Sequence, residues 1–179
     1  AREAVGDEPF AVILPDDMVL HGTGCLSQMI EQYELLGGNM VAIEEVPLNQ
    51  THRYGVLDPG AENGALVAIK GLVEKPTPAD APSNLAIIGR YILDPQVMED
   101  LSAFNKGAGG EIQITDTLAN LIGKLPLHGY KFQGQRYDCG SRLGFLAANL
   151  AFALSHGDKG GQADLGENLR SVLRDIINT

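Results

Sequence analysis

The chain has 179 residues, of which 44% are hydrophobic and 20% charged, which is typical of a folded globular protein and excludes a disordered or collagen-like one. Its 13 Lys and Arg stand against 23 Asp and Glu, so the formal net charge is −10, and no basic run is present that could hold a nucleic-acid backbone. No apolar stretch approaches the about 18 residues of a membrane span. We therefore expect neither a nucleic acid nor a membrane among its partners.

The first third of the chain alternates strand and helix patterns. Residues 10–14 are an apolar run between two prolines, which predicts a strand buried on both faces in a parallel sheet. Residues 26–36 carry apolar side chains at helical spacing, and the pair Gly37 and Gly38 ends that helix. Residues 39–46 form the next predicted strand. Strand, helix and strand in this order predict a βαβ unit with a right-handed crossover.

The middle of the chain is richer in turn-forming residues and prolines. Residues 54–57 and 65–73 predict the two strands of a β-hairpin, joined by a long loop over the turn-rich residues 58–64. Pro76, Pro78 and Pro82 predict a stiff, extended connection. The other predicted elements are a buried strand at 85–93, a helix at 95–103, a glycine-rich loop at 105–110, a helix from 115, a strand at 127–132, a helix at 141–155, a joint at 157–161 and a last helix at 165–177. The pattern indicates an α/β fold with an added hairpin.

Two adjacent carboxylates follow the first predicted strand. In open α/β sheets ligands bind outside the carboxyl ends of the strands, which places Asp16 at the expected crevice. Neighbouring side chains of a strand point in opposite directions, so at most one of Asp16 and Asp17 is expected to bind a metal directly. The alternative is an Asp pair that merely opens a turn.

An acid and a base end a later strand, at Glu74 and Lys75. Pro76 favours an extended conformation for Lys75, which predicts that the two side chains point to opposite sides of the chain. A carboxylate accepts hydrogen bonds from hydroxyl groups, and a lysine ammonium suits a phosphate, so the pair fits a sugar phosphate. An exposed, salt-bridged strand end explains the same residues.

Two further segments have a structural and a functional interpretation. Ser141 is a fair N-cap, and Asp138 lies just before that helix, where it is as well explained by the helix dipole as by metal binding. Thr115 could cap the preceding helix, with Glu111 and Asp116 at its start. The four histidines form no zinc-binding pair. The two cysteines, at 25 and 139, lie far apart and favour reduced thiols in a cytoplasmic protein over a disulfide.

Taken in order, these segments resemble the bacterial UTP–glucose-1-phosphate uridylyltransferases, members of the sugar-nucleotidyltransferase group. The matching motifs are GDEPF at 6–10, LPDD at 14–17, HRYGV at 52–56, VEKP at 73–76, APSNLAIIGRY at 81–91, GEIQITD at 110–116 and YDCG at 137–140. The resemblance covers roughly residues 6–155. It implies a Rossmann-like mixed sheet flanked by helices, with the added β-hairpin.

The resemblance also implies roles for single residues. Asp16 and Asp138 match the acids that hold Mg²⁺, and Gly55 matches a glycine whose backbone contacts the sugar. Glu74 matches the acid that binds the glucose hydroxyls, and Lys75 the cation on the phosphate of glucose 1-phosphate.

Three weaker assignments follow from the same resemblance. Asn84 and Gly89 are further candidates for the sugar pocket, and Asp17 is a weaker one.

The activity that the resemblance implies is uridylyl transfer from UTP to glucose 1-phosphate, giving UDP-glucose and pyrophosphate, by a homo-oligomeric cytoplasmic enzyme. The family's glycine-rich GxGTRxxPxTK segment has no match in this sequence. We therefore expect the chain to be the carboxyl-terminal part of such an enzyme, with the nucleotide-binding part missing, the edge of the first strand exposed, and no activity in isolation. Residues 1–157 are expected to form the transferase portion, and 158–179 a helix suited to a subunit contact.

Three other interpretations stay open. A sugar-phosphate-binding module without catalysis, a thymidylyltransferase of the same superfamily, and a structural or oligomerising fragment are each compatible with part of the pattern.

Overall fold

A computed structural model describes residues 2–102, 113–155 and 165–178. The backbone forms two compact units, one of Ala1–Leu14 with Thr23–Gln133 and one of Pro15–Gly22 with Gly134–Thr179. The predicted loop at 105–110 and joint at 157–161 lie outside the described residues. The proposed boundary after residue 157 falls there too and stays a prediction.

The first unit contains most of the secondary structure. Its elements are α1 (Arg2–Val5), β1 (Phe10–Ile13), α2 (Cys25–Leu36), β3 (Asn39–Glu45), a 3₁₀ helix (Leu48–Arg53), β4 (Gly55–Asn63), β5 (Leu66–Glu74), β6 (Leu85–Leu93), α3 (Gln96–Ser102), α4 (Ile114–Leu121) and β7 (Leu127–Lys131). The second unit contains β2 (Asp17–Leu20), β8 (Gln135–Asp138), α5 (Arg142–Ser155) and α6 (Leu165–Ile177).

A six-stranded mixed sheet organises the first unit. Its strand order is β1-β6-β3-β7-β5-β4. The β3–β7 pair is parallel, and the other pairs are antiparallel. β1 and β3 both run antiparallel to β6, so the predicted strand–helix–strand unit exists, with β6 inserted between its two strands. The predicted mixed α/β sheet with an added β4–β5 hairpin is confirmed.

The core of the first unit lies on β3 and β6. All nine residues of β6 are buried, as are the first five of β3, which is why the sequences of both strands are mostly apolar there, with Arg90 and Asn39 as the buried polar exceptions. Leu118 and Leu121 of α4 belong to the same hydrophobic cluster. The predicted strands at 39–46 and 85–93 and the helix at 26–36 are confirmed within one residue at each end.

The first strand exists as predicted, but the prediction that it is buried on both faces is wrong. Residues of β1 alternate between half-buried and exposed, and Ile13 is 53% exposed. β1 lies at the edge of the sheet and pairs antiparallel with β6. Within the described residues it has a neighbouring strand on one side only, although its apolar sequence is typical of a strand with neighbours on both sides. The expected exposure of this strand's edge is observed.

The hairpin loop is much shorter than predicted. Residues 58–63, which contain turn-forming Pro59 and Gly60, continue β4, and the strands turn at Gly64 and Ala65. The register shifts between Asp58 and Pro59 and again before Glu62. Pro59 itself is paired with Ile69, so the first shift leaves Lys70 of β5 as the unpaired residue.

Two four-residue strands were not predicted. β2 and β8 pair antiparallel in a separate two-stranded sheet within the second unit. Their sequences, DMVL and QRYD, are short and of mixed polarity, so neither shows an apolar period.

Both cysteines are free thiols, as predicted. Cys25 is 4% exposed, and burial raises its pKa to about 11.

The end of α2 offers a stability test. Gly37 and Gly38 both have positive φ, 65° and 75°, and a Cβ on Gly38 would lie 2.7 Å from the backbone oxygen of Pro126, whereas a Cβ on Gly37 would meet nothing within 4 Å. Gly37→Ala therefore carries the conformational cost alone, and Gly38→Ala adds a steric one. We expect Gly38→Ala to lower the free energy of unfolding by about 1–3 kcal/mol more than Gly37→Ala, measured by urea denaturation. An equal decrease in the free energy of unfolding for both variants would show that the backbone at Pro126 moves away from the new Cβ at no cost.

Candidate functional site

One group of candidate residues lies where β4 begins and β5 ends. Gly55 and Glu74 are register partners. The Glu74 side chain is only 10% exposed although it ends a strand. A Cβ on Gly55 would lie 3.2 Å from Oε2 of Glu74 and 2.9 Å from Oγ1 of Thr115. The glycine therefore leaves space beside a carboxylate and a hydroxyl.

Lys75 joins this group through an unusual backbone conformation. Its φ is +48°, in the left-handed region that side chains rarely adopt, and its N–H donates to the carbonyl oxygen of Tyr54 at 2.9 Å. The Lys75 Nζ lies 3.6 Å from Oε1 of Glu74. The prediction that the two side chains point to opposite sides is wrong, because the turn in the backbone overrides the extended conformation that Pro76 favours.

The burial of Glu74 distinguishes the two interpretations of this strand end. An exposed ion pair would leave both partners in solvent, yet Glu74 is nearly buried while Lys75 keeps 56% of its side chain exposed. A carboxylate in such a position needs hydrogen-bond donors or a cation, and Lys75 supplies the charge with its ammonium still accessible. Backbone strain of this kind is concentrated at binding and catalytic sites.

Thr115 is a member of the group that sequence reasoning misassigned. It was predicted as an N-cap, but α4 begins at Ile114 with Gln113 as its N-cap, and Thr115 is 5% exposed within the first turn. Its hydroxyl faces Gly55 instead. Asp116 is in the first turn as predicted, and Glu111 lies outside the described residues. Only the close approach of α4 to β4, which the sequence does not display, could have identified Thr115.

Asn84 and Gly89 flank the first half of β6 and show backbone contacts. The carbonyl oxygen of Asn84 accepts a hydrogen bond from the N–H of Val46 at 2.9 Å, and that of Gly89 accepts one from Leu14 at 2.8 Å. β6 also pairs with β4, the strand that begins at Gly55, through Ala86 and Val56. Their role in a sugar pocket stays a prediction.

A second group of candidates lies in the second unit, at one end of the β2–β8 ribbon. A Cβ on Gly140 would lie 3.1 Å from Oδ1 of Asp138 and 3.5 Å from Oδ2 of Asp16, so both carboxylates border the same small volume. The N–H of Cys139 donates to the carbonyl oxygen of Asp16 at 2.7 Å, and the N–H of Gly140 donates to Oδ1 of Asp138 at 3.0 Å. The structure thus brings Asp16 and Asp138 together.

Asp17 has a different environment from its neighbour. Its Oδ1 accepts a hydrogen bond from Nε–H of Arg136 at 2.5 Å, and both side chains are about nine-tenths buried. The two carboxylates differ in their contacts, since Asp17 is held by Arg136 while Asp16 borders the volume beside Gly140, although both lie near Cys139. The weak assignment of Asp17 to the sugar pocket receives no support from this contact.

The start of α5 holds Asp138 in place. Ser141 is the N-cap, as predicted: its Oγ accepts a hydrogen bond from the N–H of Gly144 at 3.0 Å. The same hydroxyl donates to the carbonyl oxygen of Asp138 at 3.1 Å. A Cβ on Gly144 would overlap that carbonyl oxygen, so α5 packs directly against the backbone of Asp138.

The carboxylate pair has the chemistry of a magnesium site. Within the described residues no three His, Cys, Asp or Glu side chains form a metal-binding cluster, and Asp16 and Asp138 are two carboxylates that border one volume. Mg²⁺ is commonly bound by one or two carboxylates, with water and phosphate oxygens as its other ligands. The electrostatic potential around the pair is negative, as a cation requires: burial and the nearby Asp138, Asp17 and Asp16 raise the pKa of the Cys139 thiol. Asp16 and Asp138 therefore fit the ion.

The first unit thus presents a lysine beside a nearly buried glutamate, and the second unit presents two carboxylates that border one small volume. The model of the nucleotidyl transferase family matches residues 1–154, and the chain belongs to that family.

Individual relatives make the likeness more specific. The chain is 52% identical over 143 residues to a UTP–glucose-1-phosphate uridylyltransferase of Komagataeibacter xylinus, a match that covers 80% of this chain and 50% of the relative. A crystal structure of a UDP-glucose pyrophosphorylase complexed with UDP-glucose is 45% identical, with a TM-score of 0.80, covering 84% of this chain and 58% of that one. A UTP-bound enzyme of Acinetobacter baumannii, named UGPase, is 36% identical with a TM-score of 0.80, covering 96% and 57%.

The chain spans about half the length of the curated relatives it matches. None of the helices in the described part of the chain has the length and apolar character needed to cross a membrane.

Proposed function

We propose that this chain supplies the sugar-phosphate and magnesium sites of an enzyme that transfers a uridylyl group from UTP to glucose 1-phosphate, giving UDP-glucose and pyrophosphate. The nearly buried Glu74 carboxylate beside the accessible Lys75 ammonium, with the space at Gly55 next to them, carries the proposal. This arrangement offers an acceptor for sugar hydroxyls and a cation for the phosphate. The relatives that bind UDP-glucose and UTP support the choice of nucleotide and sugar.

The reaction needs positioning more than proton transfer. An oxygen of the glucose 1-phosphate phosphate attacks the α-phosphorus of UTP, the bond to the bridging oxygen of the β-phosphate breaks, and pyrophosphate leaves. The attacking oxygen is already anionic, so no general base is required. Two polyanions must instead be held in line against their mutual repulsion.

Each candidate side chain has a part in that positioning. Lys75 holds the sugar phosphate and offsets its charge, and Glu74 accepts hydrogen bonds from the glucose hydroxyls. Asp16 and Asp138 would hold Mg²⁺, which when bound neutralises charge on the phosphates. Asn84 and Gly89 are proposed to complete the sugar pocket.

We also propose a homo-oligomer in the cytoplasm. Exposed apolar side chains on α5 and α6, such as Leu143, Phe145 and Ile176, support a subunit contact. The free thiols of both cysteines support a reducing compartment.

Pyrophosphate release by the full-length protein tests the function. We expect release from UTP with glucose 1-phosphate and Mg²⁺, and a much lower rate when TTP replaces UTP. A preference for TTP would identify a thymidylyltransferase. No release from either nucleotide would contradict the proposal and favour a sugar-phosphate-binding module, a role that the Glu74 group could serve because its described residues all lie in the first unit.

The role of Glu74 is tested by its replacement with glutamine. Glu74→Gln keeps the size of the side chain but loses the charge that strengthens hydrogen bonds from hydroxyls, a difference of about 1 kcal/mol. We expect the KM for glucose 1-phosphate to rise roughly fivefold with the KM for UTP nearly unchanged.

Glu62→Gln is a matched control for that measurement. Glu62 is an exposed glutamate of the same hairpin, and its Oε2 lies 2.9 Å from Nζ of Lys131. We expect this variant to leave both KM values unchanged. A parallel rise in the KM for UTP in Glu74→Gln would show a general disturbance and not a sugar contact.

A further inference from the structure

The positions of the two carboxylates assigned to magnesium, Asp16 and Asp138, are set by one end of the two-stranded β2–β8 ribbon. β2 and β8 pair antiparallel, with Asp17 opposite Asp138 and Val19 opposite Arg136. Asp16 directly precedes β2, and Asp138 ends β8. A two-stranded ribbon is at best marginally stable alone. The contacts that link the strands at this end therefore determine how Asp16 and Asp138 are placed relative to each other.

A buried ion pair is one of those links. The Nε–H of Arg136 donates to Oδ1 of Asp17 at 2.5 Å, with 8% of the arginine and 11% of the aspartate side chain exposed. Successive side chains of a strand point to opposite faces. Arg136 therefore lies on the same face of β8 as Asp138, and Asp17, the register partner of Asp138, lies on that face too. Asp16 lies in the turn directly before β2, so the ion pair anchors the chain one residue after it.

We infer that Asp17 and Arg136 are positioning residues of the cation site: their ion pair holds Asp16 and Asp138 in register for a divalent cation, and neither side chain is itself a ligand. This inference rests on the proposed function, which assigns the cation to Asp16 and Asp138. Burying two charges costs desolvation that their attraction often fails to offset, so a buried pair is a poor device for stability alone. Its location beside both ligands favours a geometric role.

Charge alone predicts a different pattern from geometry. Asp17→Asn removes a negative charge, so both explanations predict weaker cation binding. Arg136→Met removes a positive charge, and Coulomb attraction alone then predicts tighter cation binding. Positioning predicts weaker binding, because the ribbon end loses the side-chain link between its two strands. The sign of the Arg136 effect distinguishes the two.

Binding of Mn²⁺ to the 179-residue chain, followed by electron paramagnetic resonance of the free ion, provides the measurement. We expect Asp17→Asn and Arg136→Met each to raise the Kd about tenfold or more, as the loss of outer-shell partners does in other metal sites. The reversed pair, D17R with R136D, is expected to restore most of the affinity. Each titration is made below the melting transition of the variant, so that the folded protein is compared.

Two further variants separate positioning from stability and from charge. Glu62→Gln breaks the Lys131–Glu62 ion pair in the other unit and is expected to leave the Kd for Mn²⁺ unchanged. Arg136→Lys is the more conservative change: it keeps the charge but lacks the Nε–H, so geometry predicts a smaller loss of affinity and charge alone predicts none. This variant decides the question if Arg136→Met does not fold.

The outcomes separate this inference from the function on which it rests. Unchanged or tighter Mn²⁺ binding in folded Arg136 variants overturns the positioning role and leaves the proposed function standing. Unchanged binding in Asp16→Asn would instead remove the cation from this ribbon, which contradicts the proposed magnesium site itself.

Discussion

Replacement of Lys75 by alanine in the full-length protein is expected to lower kcat/KM for glucose 1-phosphate by roughly 10- to 150-fold, since charge-assisted hydrogen bonds contribute about 1.5–3 kcal/mol. The Lys75 ammonium is accessible and lies beside a nearly buried carboxylate, so it can meet a phosphate without leaving Glu74. The melting transition should fall, because the nearly buried Glu74 carboxylate loses the cation beside it, so the kinetics are measured below the transition of the variant. Steady-state kinetics at varied glucose 1-phosphate measures the effect.

Lys70→Ala is the matched control. Lys70 is an exposed lysine of the same strand, β5, and lies outside the Glu74 group. We expect its removal to leave kcat/KM within about twofold, as for most surface substitutions. Near-normal kinetics for Lys75→Ala would show that the strand end is solvated surface and not part of the site.

Replacement of Asp16 by asparagine is expected to raise the Mg²⁺ concentration needed for half-maximal pyrophosphate release. The increase should be at least the about tenfold that loss of an outer-shell partner costs in metal sites, because Asp16 is one of two carboxylates that border the volume beside Gly140. High Mg²⁺ should restore part of the rate. Asp7→Asn, at an exposed aspartate of the first unit, is the control and should not shift the requirement. An unshifted requirement in Asp16→Asn would place the cation elsewhere.

The buried parts of the fold could be predicted because local pattern and burial coincide there. β6 combines nine consecutive buried residues with flanking polar positions, and its bounds agree with the sequence prediction. β1 shows the limit of this reasoning. Its apolar run specifies a strand, but whether both faces are buried depends on which strands lie beside it, and that is a property of the whole sheet.

Two predictions made from local turn preferences are wrong: the long hairpin loop and the extended conformation of Lys75. Pro59 and Gly60 predict a loop, yet bulges allow β4 to continue through them, because pairing with β5 outweighs their weak individual preferences. Pro76 predicts an extended Lys75, yet this residue is left-handed, with its N–H held by the carbonyl oxygen of Tyr54. Long-range hydrogen bonds decide both cases, and no local pattern shows them.

The sequence motifs identify candidate site residues, but they do not show how these residues are arranged in space. The motifs around Asp16, Glu74 and Asp138 point to phosphate and sugar chemistry from the sequence. The contact of Thr115 with Gly55 and the ion pair of Asp17 with Arg136 join segments far apart in the chain. Neither has a sequence period, so only the folded structure reveals them.

Calorimetric titration of the 179-residue chain with glucose 1-phosphate, without UTP, tests most directly whether Gly55, Glu74 and Lys75 form a sugar-phosphate site. We expect binding by the unmodified chain, weaker binding by Glu74→Gln, none detectable by Lys75→Ala at the same concentrations, and unchanged binding by Glu62→Gln. Equal binding by the unmodified chain and Lys75→Ala, or no binding by the unmodified chain, would contradict the account.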